Sequence, residues 1–220
     1  MDRISNADIS ALILAGGRAQ RMEGCDKGLV ELQGQPMISH TIKLLRPQLD
    51  LIRINANRNQ QTYAALGLSF DAERDTKRGI KGTSSAQPFE VISDSLSNFQ
   101  GPLAGISQGL LNCPTAWMLV VPCDSPLLPQ DLVQRMAAQA AQEDAEIAVA
   151  HDGQRMQPVV SLIKRELQPS LQRYLESGNR KIDLWYAMHK VCCVDFSDQP
   201  EAFLNINSHT DKQQLENQVS

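Results

Sequence analysis

The 220-residue chain has few aromatic residues and no long apolar run, and both shortages limit the kinds of protein it can be. Aromatic side chains make up 5% of the residues and hydrophobic residues 42%, which is ordinary for a globular protein with a mainly aliphatic core. The longest apolar runs, such as Trp117–Val121, are far too short to span a bilayer. The first residues contain no apolar segment like that of a signal peptide. We therefore expect a cytoplasmic protein that does not bind membranes.

The chain also lacks a strong excess of charge of either sign. Its formal net charge is −4, which does not favour binding to nucleic acid. Any anionic ligand must therefore be bound by a local cluster of cations. Because domains usually hold about 100–200 residues, we predict one domain over residues 1–220, as a monomer or a weak oligomer.

Paired cysteines are missing as well. Five cysteines, an odd number without any Cys-x-x-Cys pair, exclude a disulfide framework and the common zinc motifs. Cys25 and Cys123 stand beside candidate site residues, where they could serve thiolate chemistry or act as small apolar fillers in a reducing compartment. The four histidines have no metal-ligand or triad spacing, so we interpret them as structural or surface residues.

Short β-prone runs alternate with segments of helical periodicity. This alternation predicts an α/β fold of three layers (α/β/α), in which helices cover both faces of a mostly parallel sheet. Helices are predicted over Met37–Arg46 and Pro129–Gln142, and another is expected to begin at Gly101-Pro102. The predicted strands are Ala11–Leu14, Leu51–Asn55, Val91–Ser93, Trp117–Pro122, Glu146–Ala150, Val159–Leu162 and Val191–Phe196.

Two segments do not fit this alternation. Residues 71–87 are charged and poor in apolar side chains, which predicts an exposed loop insertion. Such a loop could be a lid, a contact for a partner or simply a solvated insertion. The polar stretch His209–Ser220 predicts a short C-terminal helix.

The first predicted strand leads into the most informative loop of the chain. Leu14-Ala15-Gly16-Gly17-Arg18 brings paired glycines to the end of the strand, where main-chain N–H groups can approach phosphate oxygens closely. Arg21 and Lys27 add further cations. The pattern is neither the P-loop nor the dinucleotide fingerprint. An ordinary β-to-α turn with a basic surface is the alternative.

Polar residues follow three other predicted strands. In open α/β sheets, ligands bind beyond the carboxyl ends of the strands, which makes Asn55, Asp94 and Asp124 candidates. Asp124, between Pro122 and Pro126, is suited to hold Mg²⁺, which takes one or two carboxylates together with substrate phosphates. Asp124 could instead be a helix N-cap or form an Asx-turn, and an Asx-turn is also the alternative for Asp94.

Taken together, these motifs resemble the molybdenum cofactor guanylyltransferases (MobA), members of the glycosyltransferase-A-like nucleotidyltransferase superfamily. The resemblance extends over almost the whole chain. One departure is Glu23, which precedes Gly24 where the family usually has a second glycine. The matching motifs are Leu14-Ala15-Gly16-Gly17-Arg18 with Arg21-Met22, Gly24, Asp26-Lys27, Asp94-Ser95, Gly101-Pro102-Leu103-Ala104-Gly105, Pro122-Cys123-Asp124-Ser125-Pro126, Gln157-Pro158-Val159 and Phe203-Leu204-Asn205-Ile206-Asn207.

The resemblance implies a single-domain, Rossmann-like nucleotidyltransferase fold and assigns roles to individual residues. Lys27, Arg21 and Asp124 would be catalytic, with Mg²⁺ on Asp124. The residues implied to bind GTP are Leu14, Ala15, Gly16, Gly17, Lys27, Asn55, Asp94 and Asp124. Gln157, Pro158, Asn205 and Asn207 would form the pterin side of the pocket.

The implied reaction transfers GMP from GTP to the terminal phosphate of molybdopterin and releases pyrophosphate. Other cofactor-biosynthesis proteins and molybdoenzyme chaperones would be its protein partners. Two alternatives remain open within enzymes: a cytidylyltransferase acting on the same cofactor, and another nucleotidyltransferase of this fold. A non-catalytic nucleotide-binding module that delivers the cofactor is a third.

Overall fold

A seven-stranded sheet forms the centre of the protein. The computed structural model describes residues 3–15, 26–66, 89–94, 101–206, 211–213 and 215. Among these, the strand order is β5-β4-β1-β6-β8-β7-β9, and β8 alone runs antiparallel to its neighbours. The strands are β1 (Ile9–Leu14), β4 (Ile52–Asn55), β5 (Glu90–Ile92), β6 (Trp117–Pro122), β7 (Ile147–His151), β8 (Met156–Lys164) and β9 (Val191–Asp195), and a small hairpin pairs β2 (Glu31–Leu32) with β3 (Gln35–Pro36).

Helices cover the sheet on both faces. They are α1 (Met37–Leu45), α2 (described over residues 60–66), α3 (Pro102–Leu111), α4 (Leu132–Gln142), α5 (Gln168–Glu176) and α6 (Ile182–Tyr186). None of the helices in the described ranges is both long and apolar enough to cross a membrane.

The two helical layers follow from the alternation of side chains along the strands. In β1, Ile9, Ala11 and Ile13 face one core, which they share with α1, α2 and α4. Leu12 faces the opposite core, which it shares with α3, α5 and α6. Because both faces are covered, the central strands are apolar on both sides, as parallel sheets require. The predicted α/β fold of three layers is confirmed.

The seven predicted strands all correspond to observed strands. The largest shift is at β8, which begins at Met156 where Val159 was predicted. Helix α4 begins at Leu132 and not at Pro129, because residues 129–131 form a turn closed by a hydrogen bond from Leu132 N to Pro129 O. The hairpin and helices α2, α5 and α6 were not predicted. Residues 71–87 lie outside the described residues.

One row of residues across the sheet sets the position of the site. The register pairs Leu14 with Asn55 on one side and with Pro122 on the other, and Asn55 with Ile92. The carboxyl ends of β1, β4, β5 and β6 therefore lie at the same edge. Here the chain passes from β1 to β4 and β5 on one side and later to β6 on the other, which creates a topological switch point.

Candidate nucleotide-transfer site

Lys27 and Asp124 form an ion pair at this edge. Lys27 begins a short 3-10 turn, Lys27–Leu29, and Asp124 lies two residues beyond the end of β6. The distance from Lys27 Nζ to Asp124 Oδ2 is 3.3 Å, and the side chains are 24% and 15% exposed. The structure therefore brings together two of the three predicted catalytic residues, separated by 97 positions in the chain, with both charges still accessible to a ligand.

Asn55 and Asp94 meet at the ends of β4 and β5. Asn55, which is buried, donates from Nδ2 to Asp94 Oδ1 at 3.0 Å. Asn57 Nδ2 donates to Asp94 Oδ2 at 2.8 Å, and Asn57 Oδ1 accepts from the Asp94 backbone N–H at 2.8 Å. The Asp94 carboxylate is thus held in one orientation by two amides.

Helix α3 approaches this cluster closely because it has glycine at position 105. A Cβ atom at Gly105 would lie 2.5 Å from Asn55 Oδ1 and 2.9 Å from Leu14 Cδ2. Gly101, with a φ of +106°, precedes the first turn of the helix. The first turns of α3 therefore pack directly against the ends of β1 and β4, and the helix begins at Pro102, as expected from Gly101-Pro102.

Leu14 and Ala15, at the end of β1, form backbone hydrogen bonds to residues at the ends of both neighbouring strands, β4 and β6. Ala15 N donates to Asn55 O at 2.9 Å, and Leu14 O accepts from Cys123 N at 3.1 Å. Leu14 is half-buried and Ala15 is buried. These contacts place Leu14 and Ala15 between the Asn55–Asp94 cluster and the strand that leads to Asp124.

A C-terminal segment is attached to the Asp124 loop. Ile206 N donates to Asp124 O at 3.0 Å, and Ser125 Oγ donates to Asn205 Oδ1 at 2.6 Å. The predicted pterin-side residue Asn205 therefore lies next to the predicted metal ligand. This contact spans 80 positions of the sequence.

The other two described pterin-side candidates belong to β8. Gln157 Nε2 donates to Asp152 Oδ2 at 2.6 Å, and Pro158 O accepts from Tyr186 Oη at 2.8 Å. Both residues are half-buried. They precede Ser161, the first residue of β8 that pairs with β6, and because the two strands are antiparallel they extend toward the edge where Asp124 follows β6.

Four predicted site residues fall outside the described residues: Gly16, Gly17, Arg21 and Asn207. The roles of these four stay predictions. The same holds for Arg18, Glu23 and Cys25 of the glycine loop.

Sequence reasoning missed the side chains that hold Asp94 and Asp26. Asn57 could have been suspected, because it repeats the asparagine at position 55 two residues later, beyond the strand end. Tyr63 and Asn59, which both donate to the Asp26 carboxylate, carry no such signal. Tyr63 lies on α2, a helix that was not predicted.

Cys123 lies beside the site, but its thiol has low reactivity. Its side chain is buried, and burial together with the neighbouring carboxylates Asp124 and Asp26 raises the pKa of its thiol. A thiol that stays protonated at neutral pH is a poor nucleophile. The interpretation of Cys123 as an apolar filler fits these surroundings.

A magnesium ion at this edge would depend on the oxygen donors around Asp124. No group of three or more His, Cys, Asp and Glu side chains converges among the described residues. Magnesium does not need one, since it keeps waters and is held by one or two carboxylates together with substrate phosphates. Asp124 is a half-buried carboxylate that follows β6 at the switch point and lies beside the Lys27 ammonium group, so the residues present fit such an ion.

Several known proteins are similar to this chain over nearly its whole length. A protein of Shewanella piezotolerans and one of Shewanella sediminis, both named molybdenum cofactor guanylyltransferase, are 50% identical to it over 212 residues. These alignments cover 96% of this chain and 94% and 97% of the two relatives.

A solved structure and a family model agree with these relatives. The structure of molybdopterin-guanine dinucleotide biosynthesis protein A from Archaeoglobus fulgidus superimposes with a TM-score of 0.70 at 19% identity, covering 96% of this chain and 98% of that one, which supports the fold. The family model for the MobA-like NTP transferase domain matches residues 11–191, from β1 to the start of β9. The family resemblance inferred from the sequence is therefore confirmed, and the chain belongs to the MobA-like NTP transferase family.

Proposed function

We propose that this protein transfers GMP from GTP to the terminal phosphate of molybdopterin and releases pyrophosphate. The product is the guanine dinucleotide form of the cofactor. The observation that carries the proposal is the Lys27–Asp124 pair at the switch point of the sheet. Relatives that are 50% identical over nearly their whole length and are named molybdenum cofactor guanylyltransferase support the choice of substrates.

The chemistry of the reaction explains why no general base is needed at this edge. The attacking phosphate oxygen of molybdopterin is already an anion, so catalysis consists of in-line positioning and of neutralising charge. Lys27 lies where its ammonium group can bind the triphosphate and the leaving pyrophosphate. Without substrate, Asp124 neutralises this ammonium group, and phosphate binding exchanges one anionic partner of Lys27 for another.

Asp124 would hold Mg²⁺ beside the phosphates of GTP. When bound, this ion would polarise the α-phosphate and neutralise charge on the oxygens of the triphosphate. The protein's part is to keep the Asp124 carboxylate in place. Its backbone carbonyl accepts from Ile206 N, and the loop is tied to Asn205 through Ser125.

The nucleoside and the pterin would occupy opposite sides of this pair. Leu14 and Ala15 lie between β4 and β6, beside Asn55 and Asp94, where backbone groups and a fixed carboxylate can accept and donate hydrogen bonds to guanine and ribose. Gln157 and Pro158 lie on the β8 side of Asp124, and Asn205 lies beside Asp124 through its contact with Ser125, so these three residues would contact the pterin. Transfer of the product to other cofactor-biosynthesis proteins and molybdoenzyme chaperones is part of the same proposal.

The test is incubation of the protein with Mg²⁺, molybdopterin and either GTP or CTP. We expect pyrophosphate release with GTP and a product whose mass equals molybdopterin plus GMP less water. Product with CTP and none with GTP would indicate the cytidylyltransferase alternative. Nucleotide binding without pyrophosphate release from either would indicate a non-catalytic delivery module.

A further inference from the structure

The Asp26 carboxylate occupies a helix-start position but does not cap the turn that follows it. It directly precedes the 3-10 turn Lys27–Leu29, and it accepts no hydrogen bond from the backbone of that turn. Carboxylates at this position commonly accept from the first N–H groups of the helix. The side chain is instead directed toward a different element, helix α2.

Two side chains from the α2 region hold this carboxylate. Tyr63 Oη donates to Asp26 Oδ1 at 2.5 Å, and Asn59 Nδ2 donates to Asp26 Oδ2 at 3.1 Å. Tyr63 is fully buried, and burial raises the pKa of its phenol, with a further contribution from the Asp26 hydrogen bond. At neutral pH the hydroxyl therefore stays protonated and donates its hydrogen bond to Asp26.

Glycine at position 28 makes room for this contact. A Cβ atom there would lie 2.6 Å from Tyr63 Oη and 3.3 Å from Cε1 of the same ring. It would also lie 3.4 Å from Cys123 Sγ, next to Asp124. The backbone of residues 26–28 is thus held between Tyr63 on one side and the end of β6 on the other.

We infer that Asp26 and Tyr63 are positioning residues for Lys27. Their hydrogen bond fixes the backbone from which the Lys27 side chain reaches the Asp124 carboxylate and, in the proposed reaction, the phosphates of GTP. Asp26 acts through this contact and not as a ligand of substrate or metal. The inference rests on the proposed function for its catalytic part, whereas its effect on GTP binding can be measured separately.

The experiment is a double-mutant cycle between Tyr63 and Lys27. Tyr63→Phe keeps the ring and removes the hydrogen bond, and we expect it to lower kcat/KM about tenfold, the size of one lost positioning hydrogen bond. In a Lys27→Ala background, the same change should alter kcat/KM less than about twofold, because the group that is positioned is gone. An equal factor in both backgrounds, or no effect of Tyr63→Phe alone, would overturn the inference.

Three further variants separate positioning from a general loss of folding. Tyr174→Phe removes another buried tyrosine hydroxyl, which donates to Lys181 O at 2.8 Å on the opposite helical layer, and it should leave kcat/KM unchanged. Asp26→Asn keeps an oxygen that can accept from Tyr63, so it should retain most of the activity that Asp26→Ala loses. Equal losses in these two Asp26 variants would contradict the positioning role and indicate that the charge itself acts.

Titration calorimetry with GTP alone distinguishes the positioning role of Asp26 and Tyr63 from the proposed guanylyl transfer. We expect Tyr63→Phe and Lys27→Ala each to weaken GTP binding, and the double variant to bind no more weakly than Lys27→Ala. If this coupling is found but the wild type forms no dinucleotide, the proposed function fails and the positioning role stands. If the wild type forms the dinucleotide but no coupling is found in binding or turnover, the positioning role fails.

Discussion

At the scale of single residues, the site is a set of opposed charges and fixed amides. Lys27 and Asp124 are half-buried and paired, and the carboxylate of Asp94 is oriented by Asn55 and Asn57. An ion pair in this setting adds little to stability. We propose that the pair serves binding and catalysis, because it lies at the switch point of the sheet.

Removal of the Lys27 ammonium group should affect turnover more than folding. We expect Lys27→Ala to lower kcat about 10²–10³-fold, on the scale of losing one preorganised donor to a developing charge. The measurement is steady-state pyrophosphate release at saturating GTP, with the thermal midpoint as a check of folding. Turnover equal to that of the wild type would contradict the role of Lys27.

Asp124→Asn tests the metal ligand at nearly constant shape. The amide oxygen can still accept from Lys27, but the charge that binds a hard cation is lost. We expect the Mg²⁺ concentration for half-maximal activity to rise by about tenfold or more. Asp131→Asn, at an ion pair with Arg135 on the surface, is the matched control and should leave the Mg²⁺ titration unchanged. An unchanged titration in Asp124→Asn would rule out this assignment.

Among the secondary-structure elements, four strands position the candidate site at their carboxyl ends. These strands and the polar residues that follow them were predictable from the sequence. Apolar runs bounded by polar residues predicted β1, β4, β5 and β6, and Asn55, Asp94 and Asp124 follow from the rule for strand ends. Helix α5 carries Leu171, Tyr174 and Leu175 at helical spacing, so its periodic signal was present in the sequence. The hairpin and α6 are too short to give one.

Contacts between distant elements could not be predicted. The hydrogen bond between Tyr63 and Asp26 joins residues 37 positions apart, and no local pattern at either residue indicates the other. The attachment of Asn205 to Ser125 spans 80 positions. Such contacts depend on how α2 and the C-terminal segment pack against the sheet, which periodicity does not determine.

Helix α3 packs on β1 through a second glycine, Gly109, and the stability of a variant at this position can be predicted. A Cβ atom at Gly109 would lie 2.4 Å from Leu12 Cδ2 and 2.9 Å from Met118 Sδ, both in the core. Overpacking of about 1–3 kcal/mol should exceed the gain of about 1 kcal/mol in helix propensity. We therefore expect Gly109→Ala to lower the free energy of unfolding, measured by urea titration.

The control for this change lies on the same helix. Ser107 is half-buried, and Ser107→Ala should be neutral or slightly stabilising, since alanine has the higher helix propensity. A Gly109→Ala variant as stable as Ser107→Ala would mean that the helix is not packed as closely as the structure indicates.

For the whole molecule, the buried phenols of Tyr63 and Tyr186 make the free energy of unfolding depend on pH in the alkaline range. Burial raises the pKa of Tyr186 and of Tyr63 in the folded state, whereas in the unfolded chain a tyrosine ionises near pH 10. Above about pH 10 the unfolded state therefore binds fewer protons than the folded state, and stability falls as pH rises. Below that pH their contribution is fully present.

We expect the free energy of unfolding to decrease between pH 8 and pH 11, by up to about 1.4 kcal/mol per pH unit for each such tyrosine once the pH exceeds 10. The measurement is urea unfolding at a series of pH values. Tyr186→Phe also removes the hydrogen bonds to Pro158 and Ser161, so it should be less stable at pH 8 but show a shallower alkaline slope. An identical slope in the variant would contradict a buried, neutral Tyr186.

Guanylyl transfer breaks the bond between the α- and β-phosphates of GTP, and GTP labelled in the α-phosphate shows where the GMP group goes. The protein is incubated with this nucleotide, Mg²⁺ and molybdopterin, and the products are separated. We predict that the label enters the molybdopterin dinucleotide while unlabelled pyrophosphate is released in equal amount. Label found only in GTP, GDP or free GMP, with none joined to the pterin, would contradict the assignment of this strand edge to guanylyl transfer.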